Sequence, residues 1–262
     1  MQPARRAGVP WRRPSTGPTG QRLTCSLLRL SNRILSTSAG TNQEAFAVLD
    51  WALFLSIGGI WGSSFLLMDI GLETLRPGVI TLLRVALGAL VLAAVPRARR
   101  PIDREDWPRV AALSVVWVGL PFTLFPIAQQ WVDSAVAGMI NGAMPIFATI
   151  IATLMLRRLP QGAQAVGLAI GFTGVVLMSV ASGADGGSRV AGVLMLLAAT
   201  VCYGLAVNIV APLTQRYGSL PVLLRAQVVA IGIVLPFGVA GVPASSWSWT
   251  GAGAVAVLGV LS

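Results

Sequence analysis

Apolar runs dominate this chain from about residue 50 onward, separated by short stretches of polar and charged residues. A helix rises about 1.5 Å per residue, so roughly 20 apolar residues cross the hydrocarbon core of a bilayer. The runs predict helices at about 50–71, 77–95, 109–128, 135–156, 163–181, 190–211, 220–241 and from about 250 onward. The eighth run has only about 13 residues, too few to span a bilayer. We therefore predict an all-α fold, a polytopic transmembrane helix bundle.

Two short patterns in the first half of the chain return in the second half. They are Trp61-Gly62 with Leu82-Leu83-Arg84, and then Tyr203-Gly204 with Leu223-Leu224-Arg225, at offsets of 142 and 141 residues. This offset spans five predicted helices, and because five is odd the second copy enters the membrane in the opposite orientation. The pattern predicts two inverted five-helix repeats, at 46–182 and 189–262, of which the second is incomplete and ends within its third helix.

The charged residues indicate how the helices are oriented. The chain is 55% hydrophobic and 11% charged, and all nineteen basic residues are arginines. With a cytoplasmic N-terminus, eight arginines lie in inner loops and two in outer loops, as the positive-inside rule requires. The inner set is Arg97, Arg99, Arg100, Arg104, Arg109, Arg157, Arg158 and Arg216, and the outer set is Arg76 and Arg189. We predict a multi-pass protein of the cell (inner) membrane, with the lipid bilayer rather than nucleic acid as its partner.

The first 45 residues differ from the rest of the chain. They hold seven arginines, many Ser, Thr, Pro and Gly residues, and a single acid, Glu44. Three interpretations stay open: a disordered basic tail, a start codon assigned too far upstream, or an organelle transit peptide. The last would move the protein to an organelle membrane.

Residue types that support most enzyme chemistry are missing or scattered. The sequence has no histidine and only two cysteines, Cys25 and Cys202. It contains no phosphate-binding Gly-x-x-x-x-Gly-Lys-Ser/Thr loop, no His-Glu-x-x-His and no Gly-x-Ser-x-Gly. We therefore expect no catalytic residues, no cofactor and no metal site.

Three stretches of the sequence resemble a known family. They are WGSSFLLMDIGLETLRPGVITLLRVALGALVLAAV, AQQWVDSAVAGMINGAMPIFATIIATLML and GLAIGFTGVVLMSV. These resemble EamA-type carriers of the drug/metabolite transporter superfamily, over about 46–262 and more weakly in the second half. The resemblance implies ten helices in two inverted repeats, a central cavity, and export or exchange of small metabolites. Family members often carry Lys at the position of Asp69, so the resemblance does not identify a substrate.

Charged residues inside predicted helices are candidates for a transport role. Arg84 lies roughly 12 Å below the outer surface by the helical rise, where a charge costs at least about 2.5 kcal/mol without a wet cavity or partner. It is either an anion-coordinating residue or a structural one. Arg225 lies closer to the membrane surface than Arg84, and this position favours a structural or gating role for it. Asp69 either carries a coupling proton or pairs with Arg84, or it simply meets water or Arg76 at the interface.

Uncharged polar and aromatic residues add further cavity candidates. The polar ones, each needing a hydrogen-bond partner, are Gln129, Gln130, Asn141 and Asn208. Asn141 is the best of them, because Pro145 removes the helical bond to its carbonyl and predicts a kink that could serve as a hinge. Trp61 and Tyr203, at matching repeat positions, either line the cavity or pack against other helices.

We interpret the chain as a secondary transporter of small polar metabolites, with amino acids as the favoured small-molecule substrate and alternating access as the mechanism. Three alternatives stay open. The chain is a truncated, transport-incompetent fragment of a carrier, an intramembrane enzyme, or a homodimer in which two copies complete each other.

Overall fold

The helices of the structure follow the predicted apolar runs. The computed structural model describes residues 48–156, 162–183 and 187–261, so the basic tail and the predicted loop arginines Arg157 and Arg158 lie outside it. The helices are α1 (Val48–Leu72), α2 (Pro77–Ala94), α3 (Trp107–Leu113), α4 (Leu120–Ala128), α5 (Ser134–Asn141), α6 (Met144–Leu156), α7 (Ala163–Gly183), α8 (Gly187–Tyr217), α9 (Ser219–Gly241) and α10 (Trp249–Leu261). A π-helix at Ser114–Gly119 joins α3 to α4, and the described residues contain no strand.

Among the described residues, six helical segments are long and apolar enough to cross a membrane. They are Val48–Leu72, Pro77–Ala94, Arg104–Ala128, Ser134–Leu156, Arg189–Tyr217 and Ser219–Ala244. Two shorter apolar stretches, Ala165–Leu177 and Trp249–Leu261, lie in α7 and α10. The predicted all-α polytopic bundle is therefore confirmed.

Two predicted spans are interrupted where proline removes a helical donor. The π-helix Ser114–Gly119 splits the third span, and a turn at Gly142 and Ala143 separates α5 from α6. Pro121 and Pro145 each lack the N–H that the carbonyl four residues earlier accepts in a regular helix. A kink near Pro145 was expected from the sequence, whereas the third span was expected to be continuous.

The sixth span extends past its predicted end at residue 211, because α8 continues to Tyr217. A single residue, Gly218, then connects it to α9 with a φ of 82°. Glycine adopts this left-handed conformation without a steric penalty, so the chain can reverse direction in one step.

Helix α2 packs against α9. These two helices carry the two copies of the Leu-Leu-Arg pattern. Gly78, at the start of α2, meets the backbone of Phe237 near the end of α9, and Gly88 meets the side chain of Gln227 near its start. The helices are therefore antiparallel, as they must be if the second repeat is inserted upside down.

Loops at both ends of the bundle connect the two halves of the chain. At one end, Arg76 donates from Nε to the carbonyl of Ala244 at 3.1 Å. At the other end, which we call the arginine-rich end and which holds residues 96–106 and the end of α8, Arg225 donates to the carbonyl of Arg99 at 3.2 Å. These contacts hold the frame around a central cavity.

Candidate functional site

A cavity of about 380 Å³ lies in the middle of the bundle, lined by residues of α1, α2, the π-helix, α4, α6, α8 and α10. Its polar and aromatic lining residues are Trp61, Ser64, Arg84, Trp117, Phe122 and Tyr203. The remaining lining residues are aliphatic side chains and one methionine. The site is therefore an apolar chamber that contains one strong positive charge.

Arg84 supplies that charge from a buried position, with only 4% of its surface exposed. The guanidinium carbon lies 3.8 Å from the centroid of the Phe122 ring, within the range of a cation–π contact. Its Nη1 lies 3.7 Å from the sulfur of Met68. A guanidinium carries several N–H donors in one plane, an arrangement that suits carboxylate or phosphate ligands.

A buried threonine holds Phe122 in this position. Pro126 lies inside α4 and has no N–H for the carbonyl of Phe122, four residues earlier. The hydroxyl of Thr81, one turn before Arg84 on α2, lies 2.7 Å from that carbonyl and 2.9 Å from the carbonyl of Pro77 in its own helix. Its single hydrogen is assigned to the nearer acceptor, the Phe122 carbonyl, which has no helical donor. Thr81 thereby fixes the backbone that carries the ring beneath the guanidinium.

Aromatic rings form part of the cavity wall. Trp61 and Tyr203, the repeat-matched pair, meet edge to face with centroids 6.2 Å apart. Tyr203 also stacks on Phe125 at 5.7 Å, and Phe125 meets Phe65 at 5.3 Å. Trp61 and Tyr203 thus line the cavity and also pack against each other. The π-helix adds Trp117, and single π-turns of this kind are frequent at functional sites.

The other polar candidates lie beside the cavity rather than in its lining. Asn208 donates to the carbonyls of Ala148 and Gly204 at 3.0 and 2.9 Å, which ties α8 to α6. Gln129 donates to the carbonyl of Phe65 at 2.9 Å. Asn141 is buried, and its Oδ1 accepts no hydrogen bond from the described residues.

Gln130 and the three gating candidates are not among the residues that line the cavity. Gln130 is exposed and donates to the carbonyl of Ile127, in its own helix, at 3.2 Å. Asp69 is exposed near the end of α1. Pro145 is the second residue of α6, directly after the break at Gly142 and Ala143. Arg225 is half-buried at the arginine-rich end, where it bonds to a loop carbonyl.

A second polar cluster lies at the arginine-rich end. Arg216 donates to Asp106 at 2.8 Å and to Asp103 at 2.7 Å. The hydroxyl of Tyr217 lies 2.8 and 2.9 Å from the same two carboxylates, and Arg109 lies 3.7 Å from Asp106. The cluster joins the loop before the third span to the end of α8, so it connects the two halves of the chain.

Several of these residues were not predicted from the sequence. Ser64 could have been found, because it lies one helical turn after Trp61 and so shares its face. Gln227, a buried amide on α9, meets the criterion that selected Asn208. Trp117 depends on the π-helix, and the cluster of Asp103, Asp106 and Arg216 depends on tertiary folding, so neither has a local signal.

Comparison with known proteins identifies related transporters. The EamA-like transporter family matches residues 50–180, which is 131 of the 262 residues. An uncharacterized transporter of Archaeoglobus fulgidus is 25% identical over 187 residues, covering 71% of this chain and 66% of the relative. The uncharacterized transporter YdfC of Bacillus subtilis is 27% identical over 165 residues, 62% of this chain and 54% of the relative.

A third relative carries a more specific name. The probable terminal-alkyne amino-acid exporter of Streptantibioticus cattleyicolor is 28% identical over 188 residues, 71% of this chain and 62% of that protein. The chain therefore spans between about half and two thirds of the length of these relatives. None of the solved structures gives a significant match.

Proposed function

Because the chain belongs to the EamA-like transporter family, we propose that it carries small polar metabolites across a membrane by alternating access, with Arg84 binding an anionic group of the substrate. The observation that carries this proposal is a buried guanidinium in the lining of a central cavity. Charges inside a membrane protein are costly, and they mark substrate or ion pathways when they face a cavity. The antiparallel packing of α2 and α9 supports a mechanism based on two inverted repeats.

Amino acids are the substrates that we favour, and export or exchange is the direction. Their carboxylate matches the in-plane donors of a stacked guanidinium. The name of the Streptantibioticus relative, an amino-acid exporter, supports the same class. The arginine-rich end faces the cytoplasm in this proposal, which places the protein in the cell membrane with a cytoplasmic N-terminus.

Alternating access needs elements that open and close the two ends of the cavity. The cluster of Asp103, Asp106 and Arg216 is a suitable gate, because ion pairs between two moving halves can form and break as a unit. The break at Gly142 and Ala143, next to Pro145, is a suitable hinge because few helical hydrogen bonds oppose bending there. Asp69 and Arg225 are further gating or coupling candidates.

Exchange in proteoliposomes tests the proposal. Liposomes that hold the full chain and an internal pool of unlabelled amino acids should take up radiolabelled amino acids, whereas liposomes without the internal pool should not. Arg84→Gln should lower this exchange about tenfold or more, equivalent to about 1.4 kcal/mol or more of lost binding. Arg97→Gln, which removes an exposed arginine outside the cavity lining, is the control and should exchange normally.

Two results would contradict different parts of the proposal. Full exchange by Arg84→Gln protein, inserted at the wild-type level, would exclude Arg84 as the anion-binding residue. Absence of exchange by the wild-type chain, with intact helical content, would exclude transport of amino acids by this chain.

A further inference from the structure

We infer that the arginine-rich end binds the phosphate headgroup of an anionic phospholipid, at a site formed by Arg99, Arg100 and Arg225. None of these three residues lines the central cavity. The inference therefore goes beyond transport and does not depend on the proposed role of Arg84. It assigns one class of lipid to one place on the protein surface.

The three arginines meet at one peptide bond. Arg99 and Arg100 follow the end of α2, in a loop that begins with a 3₁₀ helix at Pro96–Arg99. Arg225, on α9, donates from Nη2 to the carbonyl of Arg99 at 3.2 Å. Its guanidinium therefore lies beside the peptide bond that joins Arg99 to Arg100, and the site is shared between this loop and α9.

The loop is held against both helices. Arg99 donates from Nε to the carbonyl of Ala93, near the end of α2, at 2.6 Å. Ala98 is fully buried in a small apolar cluster that includes Leu224 of α9. Because the backbone of the site is fixed by these contacts, the positive charges are brought together before a ligand binds, which lowers the entropic cost of binding.

The positive charges at this site are not neutralised within the protein. Among the described residues, none of the three arginines pairs with a carboxylate. Asp103 and Asp106, two acids of the same loop, bind Arg216 instead, at 2.7 and 2.8 Å. A guanidinium has five N–H donors, and Arg99 and Arg225 each donate to one backbone carbonyl. The remaining donors suit a phosphate, which forms charge-assisted hydrogen bonds with guanidinium groups.

The position of Arg225 favours a lipid over a soluble anion. Arg225 is half-buried and lies six residues after the start of α9, about 9 Å along the helix. Val228 and Leu235 follow it at helical spacing on one face of α9, and both are about half exposed. A lipid whose headgroup binds the arginines covers such a face with an acyl chain, which a free phosphate cannot do. Basic pockets between membrane helices are known to bind anionic headgroups in this way.

Native mass spectrometry of the full chain, released from neutral detergent micelles, tests the inference by counting bound lipids. Dioleoylphosphatidylglycerol and dioleoylphosphatidylcholine are the probes, because they share their acyl chains and differ in net charge. The first phosphatidylglycerol should bind at least about tenfold more tightly than phosphatidylcholine, equivalent to about 1.4 kcal/mol. Equal affinities would overturn the inference. The first 45 residues also carry seven arginines, so variants are needed to locate the site.

Arg100→Gln is the first variant, because Arg100 is exposed and makes no hydrogen bond to a described residue whose loss could disturb the fold. It should lower the affinity for phosphatidylglycerol about fivefold, equivalent to the roughly 1 kcal/mol that one basic residue contributes near a membrane surface. Arg100→Lys keeps the charge and should retain most of the affinity. Arg225→Gln, with helical content checked by circular dichroism, should lower it at least as much as Arg100→Gln.

Arg76→Gln is the matched control. Arg76 is also an exposed arginine that donates to a backbone carbonyl, that of Ala244, but it lies at the opposite end of the bundle. It should bind phosphatidylglycerol as the wild type does. Equal losses in Arg76→Gln and Arg100→Gln would overturn the location of the site, as would wild-type affinity in both Arg100→Gln and Arg225→Gln.

A soluble competitor separates a lipid from a free phosphate. Glycerol 3-phosphate carries a phosphate without acyl chains, and an excess of it should leave phosphatidylglycerol bound. Displacement of the lipid by an equal concentration of glycerol 3-phosphate would overturn the assignment to a lipid. Arg84→Gln should bind phosphatidylglycerol normally, because Arg84 lies in the cavity. Failure of amino-acid exchange and failure of lipid binding are therefore distinguishable.

Discussion

Replacing Thr81 by valine tests how the contact between Arg84 and Phe122 is held in place. Valine keeps the shape of threonine and removes only the hydroxyl that lies 2.7 Å from the Phe122 carbonyl. Since Pro126 offers that carbonyl no N–H within α4, the hydroxyl is its replacement donor. We expect Thr81→Val to destabilise the fold and to loosen the ring beneath the guanidinium.

The size of the effect follows from burial and from the lack of a substitute donor. Thr81 is fully buried, and a buried acceptor that loses its partner costs about 1–3 kcal/mol. Hydrogen bonds between membrane helices average only about 0.6 kcal/mol, with maxima near 1.7, because the separated helices find other partners. Pro126 removes the nearest such partner, so we expect a loss of about 1–2 kcal/mol, in the upper part of the membrane range.

Unfolding of the purified chain in mixed micelles with increasing dodecyl sulfate, followed by circular dichroism, measures this loss. Thr173→Val is the matched control: Thr173 is exposed, and its hydroxyl bonds to the carbonyl of Ala169 in its own helix, at 2.9 Å. It should change the unfolding free energy by less than about 0.5 kcal/mol. In a Pro126→Ala background, which restores the N–H, Thr81→Val should also cost little. Equal losses for both threonines, or no rescue by Pro126→Ala, would refute the reasoning.

Two further predictions each compare a pair of related sites. A Cβ added at Gly238 would lie 2.6 Å from the Cβ of Leu82, whereas one at Gly232, on the same helix, would meet nothing within 4 Å. Overpacking costs about 1–3 kcal/mol, whereas alanine gains at most about 1 kcal/mol of helix propensity over glycine. The Gly238→Ala variant should therefore have a lower free energy of unfolding than the wild type, and the Gly232→Ala variant should not. A lower free energy of unfolding for Gly232→Ala than for Gly238→Ala would contradict the packing. Asp106→Asn should destabilise more than Asp103→Asn in the same assay. Both carboxylates bind the same arginine and tyrosine, but Asp106 is 10% exposed and also pairs with Arg109, whereas Asp103 is 60% exposed. Equal losses would contradict this difference.

Much of the frame could be predicted from the sequence because a bilayer imposes helix length and hydropathy together. The second span was expected at 77–95 and is observed at Pro77–Ala94. The seventh was expected at 220–241 and is observed at Ser219–Gly241. The π-helix could not be predicted, because Pro121 is equally compatible with a simple kink, and packing around the cavity decides between them.

The site was predictable only where a charged or polar residue lies within an otherwise apolar helix. Arg84 is such a residue, and it lines the cavity. Asn208 is another, yet its amide bonds to the backbone of α6. A buried polar group needs a partner, and either a ligand or a neighbouring helix can supply it. Trp117 and Phe122 conflict with nothing in their apolar runs, so only the folded arrangement shows that they surround the guanidinium.

The two arginines of the repeated Leu-Leu-Arg pattern lie in different surroundings. Arg84 is buried against Phe122 in the cavity, whereas Arg225 is half-buried and bonds to the carbonyl of Arg99 at the arginine-rich end. Helices α2 and α9 pack antiparallel, with small residues such as Gly78 and Gly238 at their contact. The surroundings of each arginine depend on other elements, such as α4 with its proline. The two arginines thus lie in different chemical surroundings, so a change at Arg84 should alter ligand binding, while a change at Arg225 should act through the loop that it anchors.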